Sequence, residues 1–122
     1  MRGGDRTSLG LWGEKQAARY LKRRGYRVLD ARFRCREGEI DLIAAKGPYL
    51  CFVEVKLRKD DRLAQAREFV TPAKQRKVRT AALHYLMEHP TDLQPRFDVI
   101  EVYASQGEAT RRPNVYHWEN AF

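Results

Sequence analysis

Gly38-Glu39-Ile40-Asp41-Leu42-Ile43-Ala44, then Lys46-Gly47-Pro48, then Leu50-Cys51-Phe52-Val53-Glu54-Val55-Lys56 is the stretch on which the reading of this chain turns. β-Branched and aromatic residues bounded by Gly and Pro favour paired strands, so the two apolar runs predict a β-hairpin. Side chains alternate faces along a strand. Leu50, Phe52, Glu54 and Lys56 therefore share one face and Cys51, Val53, Val55 and Leu57 the other, while Glu39, Asp41 and Ile43 share a face of the first strand. If the hairpin lays that face beside Glu54, two carboxylates and an ammonium converge. Like charges gathered in a partly apolar setting destabilise a fold unless something neutralises them, and a divalent cation is the commonest neutraliser.

The composition says what such a site would meet. A length of 122 residues predicts one domain, 1–122, large enough to bury roughly two thirds of its unfolded surface. The net charge of +8, from 24 Lys and Arg against 16 acids, points to an anionic polymer or a membrane surface as partner. No apolar run approaches the roughly 20 residues needed to span a bilayer. Met1-Arg2-Gly3-Gly4-Asp5-Arg6 leads into no signal-peptide core. A cytoplasmic protein is therefore expected, with DNA as partner ahead of RNA and no membrane. Cys35 and Cys51 lack Cys-x-x-Cys spacing, so reduced thiols are expected rather than a zinc framework or a structural bridge.

Upstream of the hairpin, Thr7 and Ser8 are N-cap residues for a helix from about Leu9 to Arg24, with Gly25 at C′. Glu14, Ala17, Ala18 and Leu21 fall at i, i+3, i+4 and i+7, which sets a carboxylate in the apolar stripe. Two readings of Glu14 follow: a third acid for the hairpin site, or a helix-rim glutamate paired with Arg or Lys. Tyr26 to about Phe33 reads as a first strand, and Arg34-Cys35-Arg36-Glu37 leads into the hairpin. Arg32, Arg34 and Arg36 stand at period two. Extended, they make a basic ladder opposite Phe33 and Cys35, suited to phosphate contacts or, equally, to keeping a sheet edge from pairing.

Downstream, a polar connection runs from Arg58 to about Phe69. Val70-Thr71-Pro72 then opens a second helix, with Thr71 as N-cap and Pro72 at the first helical position. Val78, Ala82, Tyr85 and Leu86 form its buried stripe, and Lys74, Arg76, Lys77 and Arg79 crowd its start. Cations there oppose the helix dipole unless an anion is near, and a nucleic-acid phosphate is one such anion. Gln75, three residues before Val78, either reaches the acidic cluster or bonds to backbone. The helix ends near Glu88-His89-Pro90. Arg96–Tyr103 and Asn114–Trp118 are the remaining strands. Helix, three strands, helix, two strands makes an α/β domain with a mixed central sheet of about five strands flanked by helices.

Phosphodiester hydrolysis needs a nucleophilic water, neutralisation of charge developing at phosphorus, and help for the departing oxygen. Asp41 and Glu54 are hard oxygen ligands suited to Mg2+ or Mn2+, and the backbone carbonyl of Val55 adds to them. Lys56 orients the attacking water or stabilises charge on the phosphorane, with Glu14 and Gln75 as further candidates for catalysis. Arg32, Arg34, Arg36, Arg58, Lys74, Arg76 and Lys77 are the candidate nucleic-acid contacts. An acid followed by Glu-x-Lys is a loose pattern, and on a solvated face Lys56 and an acid make only a cross-strand pair worth up to about 1 kcal/mol. A DNA-binding or partner-docking module without catalysis thus stands beside the nuclease reading, and RNA processing is third.

Gly38-Glu39-Ile40-Asp41-Leu42-Ile43-Ala44 followed by Phe52-Val53-Glu54-Val55-Lys56-Leu57-Arg58 resembles the signature of the YraN-like family of small bacterial proteins, itself similar to archaeal Holliday-junction resolvases. The resemblance covers nearly the whole chain: Gly13-Glu14 with Ala17, Ala18, Tyr20 and Leu21; Gly25-Tyr26; Val70-Thr71 with Lys74 and Gln75; Arg96-Phe97-Asp98-Val99; and Ala121-Phe122. It implies a restriction-endonuclease-like three-layer domain with a PD-(D/E)xK-type site of Glu14, Asp41, Glu54 and Lys56, and a metal-dependent endonuclease acting on branched or recombination-intermediate DNA. Arg32 departs from the family's frequent Asn, and Leu63-Ala64 from its Phe-Gly. Symmetric cleavage of two strands would call for a homodimer, for which no heptad or long apolar patch declares an interface.

Overall fold

The Thr7 hydroxyl accepts from the Gly10 N–H at 3.0 Å as the N-cap of helix α1, Ser8–Arg23. The computed structural model describes residues 7–59 and 70–122. Of the expected polar connection from Arg58 to about Phe69, residues 60–69, with Leu63-Ala64, lie outside them. Gly25, at φ +87°, ends α1 as the glycine at C′ that the sequence predicts.

Three strands follow: β1, Arg27–Cys35; β2, Gly38–Lys46; and β3, Tyr49–Arg58. Both connections are tight, with Cys35 opposite Gly38 and Lys46 opposite Tyr49. The residues read as a lead-in, Arg34 and Cys35, thus belong to a first hairpin, and the second is the predicted one. Helix α2, Pro72–Glu88, is N-capped by Thr71, whose Oγ1 accepts from the Lys74 N–H at 3.1 Å. Strand β4, Gln94–Tyr103, a short 3-10 turn, Gly107–Ala109, and β5, Val115–Trp118, complete the chain.

The five strands form one mixed sheet in the order β1-β2-β3-β4-β5. Only β3 and β4 are parallel, since α2 carries the chain back between them. Helices cover both faces. Ala17 and Leu21 of α1 pack with Leu42, Ala44, Cys51, Val53, Ile100 and Val102; Val78, Ala81, Ala82 and Tyr85 of α2 pack with Ile43, Ala45, Leu50 and Phe52. The expected alternation of β3 therefore holds, with Cys51 and Val53 towards α1 and Leu50 and Phe52 towards α2. In β2 it does not run unbroken. Ile40 and Ile43 both pack in the α2 cluster, so the pleat breaks beside Asp41.

That break positions the site. Pairing of β2 with β3 runs from Lys46 and Tyr49 only as far as Leu42 and Val53. Beyond it β2 stays with β1 as far as Gly38, and β3 stays with β4 as far as Tyr103. The two central strands fork there, and Asp41 and Glu54 are the first residues past the last pair.

Candidate functional site

At the fork a backbone N–H loses its ladder partner, and a buried unpaired amide is costly. Asp41 replaces it: Oδ2 accepts from the Val55 N–H at 2.8 Å. This bond fixes the Asp41 carboxylate across the gap from Glu54. The Glu54 Oε2 atom lies 3.7 Å from Lys56 Nζ and 3.5 Å from Lys74 Nζ. Its Oε1 is buried and has no hydrogen-bond partner among the described residues. Glu14 arrives from the first half of α1, only 6 % exposed, with Oε1 3.2 Å from Arg32 Nε. Helix α1 comes this close because Gly13 has no side chain: a Cβ there would meet Leu57 Cδ2 at 2.6 Å.

These groups line one cavity of about 220 Å³ with Gly10, Val55 and Leu57. Glu14, Asp41 and Glu54 are all buried. Among the described residues their ligand atoms do not all fall within 4.8 Å of one another. The unpartnered Glu54 Oε1 is a hard oxygen donor of the kind that could hold a cation such as Mg2+.

The sequence-predicted residues divide. Glu14, Asp41, Glu54, Val55, Lys56 and Lys74 come together. Gln75 does not join them; its Nε2 donates to the Val70 carbonyl at 2.9 Å, so its amide secures the entry to α2. Lys74, read as a phosphate contact, reaches Glu54, and that carboxylate is the anion the cation-rich start of α2 requires. The basic ladder is not a ladder. Arg32, within β1, has φ +55° and its Nε lies against Glu14, while Arg34 pairs with Glu39 at 3.4 Å. Arg36 is exposed in the turn, and Arg76 and Lys77 are exposed on α2. Arg58 points inward instead, its Nε donating to Glu101 Oε2 at 3.2 Å, because its face of β3 continues beside buried Glu101.

One buried cluster went unseen in the sequence. Asp98 Oδ1 accepts from Arg96 Nε at 2.9 Å and from the Asn120 N–H at 3.0 Å, and its Oδ2 accepts from Arg96 at 2.8 Å and from His117 Nε2 at 2.7 Å. Burial pushes the Asp98 carboxyl up, but the hydrogen bonds from His117, Arg96 and Asn120 outweigh it and hold it below the usual carboxylate range. With both carboxylate oxygens engaged, this cluster ties strands together.

Two helical layers enclosing a mixed sheet, with acids at a fork between its central strands, define a restriction-endonuclease-like three-layer α/β domain. The model of the uncharacterised protein family UPF0102 matches residues 13–102. A UPF0102 protein of Syntrophotalea carbinolica is 46 % identical over 118 residues, covering 96 % of this chain and 93 % of its own. Those of Geobacter sulfurreducens and Syntrophomonas wolfei are 44 % and 39 % identical, each over 115 residues; these cover 93 % of this chain and 88 % and 96 % of theirs. The chain belongs to the UPF0102 family, the YraN-like proteins. Among the described residues no helix is long and apolar enough to cross a membrane.

Proposed function

We propose that this protein is a Mg2+- or Mn2+-dependent endonuclease that hydrolyses phosphodiester bonds in DNA, with branched or recombination-intermediate DNA as its substrate. One observation carries the reading: Glu14, Asp41 and Glu54, three buried acids, share a cavity with the ammonium groups of Lys56 and Lys74. Three acids held together oppose folding, and a purely structural origin leaves the orphaned Glu54 Oε1 unexplained. Asp41, Glu54 and the Val55 carbonyl are the residues that would hold the cation. When bound, it supplies Lewis-acid neutralisation of charge at the scissile phosphate.

The protein's own groups do the rest. The Val55 N–H holds Asp41 in one orientation before substrate arrives. Glu54 Oε2 places Lys56 Nζ at the mouth of the cavity, where its N–H groups hydrogen-bond a water or a non-bridging phosphate oxygen. Lys74 adds a second cation that stabilises the same developing negative charge. Exposed Arg36, Arg76 and Lys77 and the excess of basic residues bring the polyanion to the surface.

Purified protein is expected to cut a branched DNA substrate with Mg2+ or Mn2+ and not with chelator present. Asp41→Ala and Lys56→Ala are expected to lower cutting by at least 100-fold while keeping the wild-type circular dichroism. Cleavage by both variants at the wild-type rate sinks the proposal. A second reading, a nucleic-acid-binding or docking module without catalysis, draws on the ligand atoms of the three acids not all lying within 4.8 Å of one another. It predicts salt-sensitive DNA binding indifferent to chelator and to Asp41→Ala, with no cleavage of any form.

A further inference from the structure

On the far side of α2 from its N-cap, the β1–β2 turn brings together three ligand types. A thiol sulfur of Cys35, a carboxylate oxygen of Glu37 and an imidazole nitrogen of His84 all lie within 4.8 Å of one another. Among the described residues they are the one such group of three. His84 Nε2 and Glu37 Oε1 are 3.0 Å apart, and an ion pair alone accounts for those two. It does not account for the thiol facing them.

Bond lengths of about 2.0–2.3 Å in a tetrahedral zinc site set ligand atoms about 3.3–3.6 Å apart. Nitrogen and oxygen here, 3.0 Å apart, are already near that spacing, and the sulfur lies within 4.8 Å of both. Thiolate and imidazole select zinc-class ions over magnesium, and a carboxylate completes three protein ligands with a fourth position open to water. The backbone beside them is already fixed: a Cβ on Gly38 would meet the Lys77 carbonyl oxygen at 2.8 Å, so the turn is pressed against α2 and cannot swing the ligands away.

We propose that Cys35, Glu37 and His84 form a zinc-class metal site that clasps the β1–β2 turn to α2, separate from the acidic cavity. The proposal stands whether or not the acidic cavity cuts DNA. Cysteine spacing gives no hint of the site, because its ligands come from a hairpin and a helix distant in sequence.

The test uses the full chain, reduced and freed of metal, titrated with Co2+. Binding is expected to give a near-ultraviolet thiolate-to-cobalt charge-transfer band that saturates at one equivalent and is displaced by one equivalent of Zn2+. Only a cysteine produces that band, and Cys51 is fully buried on the α1 side of the sheet. Cys35→Ser and His84→Ala are each expected to weaken the Co2+ binding that gives the band at least tenfold and to remove the zinc-dependent rise in melting temperature. His84 is 41 % exposed, so its substitution reads the site even if Cys35→Ser folds poorly. Absence of the band at saturating Co2+, or a band that either variant develops with the wild-type Co2+ affinity, overturns the site.

Discussion

Arg32 stands inside β1 at φ +55°, a left-handed conformation that costs a residue bearing a Cβ roughly 1–2 kcal/mol. What it gains is the contact of its Nε with Glu14 Oε1 at 3.2 Å, across from the point where β2 loses its pleat. Strain at such a position is kept where it aims a side chain at a functional centre. Arg32→Ala removes the ion pair and keeps the strain, whereas Arg32→Gly removes both. The glycine variant is therefore expected to be the more stable of the two by about 1 kcal/mol in urea denaturation. Equal stability would show that position 32 is not left-handed in solution. Alternation in the sequence was enough to set Glu54 and Lys56 side by side, because β3 is regular. It could not set Arg32, since nothing in an arginine announces a positive φ as an Asn or Gly does.

At the scale of elements, both helices approach the sheet at glycines. Gly38 meets the backbone carbonyl of Lys77, and Gly13 meets the side chain of Leu57. The two approaches differ in what can give way. Leu57 is a flexible side chain that can turn aside, and alanine gains about 1 kcal/mol over glycine inside a helix, which offsets part of the crowding. A backbone carbonyl can move only with its helix. Gly38→Ala is expected to destabilise the protein by about 1–3 kcal/mol and Gly13→Ala by less, as read from denaturant midpoints. Gly13→Ala costing more than Gly38→Ala would overturn this ranking. The caps and stripes of both helices could be read in advance, Thr7, Thr71 and Pro72 included, because each rests on local chemistry. The fork could not be. It depends on β2 following β1 while β3 follows β4, a choice made by long-range pairing that leaves no mark within either strand.

At the scale of the whole molecule, Asp98 joins distant parts of the chain. It binds Arg96 beside it, His117 of β5 and the backbone of Asn120, and Arg96 in turn donates to Tyr26 at 2.8 Å, just before β1. Both edges of the sheet therefore depend on one ionised carboxylate, 0 % exposed. Its folded-state affinity for a proton is held below the usual range, so at acidic pH the unfolded chain binds the proton first. The stabilisation is complete above the unfolded carboxylate value of about 3.9 and is lost as pH falls through the lower folded value. Acidification also neutralises acids in a chain already at +8, adding repulsion in the same direction. The urea midpoint is expected to hold from neutral pH to about pH 5 and then to fall steeply. Asp98→Asn conserves the shape and leaves Arg96 with only the exposed carboxylate of Glu119, 3.7 Å away, which costs about 3 kcal/mol at neutral pH. The same variant should flatten the acid limb, since the group that titrates is gone. A variant with the wild-type acid slope and a lowered plateau would assign the pH dependence to other carboxylates and leave Asp98 with a packing role alone.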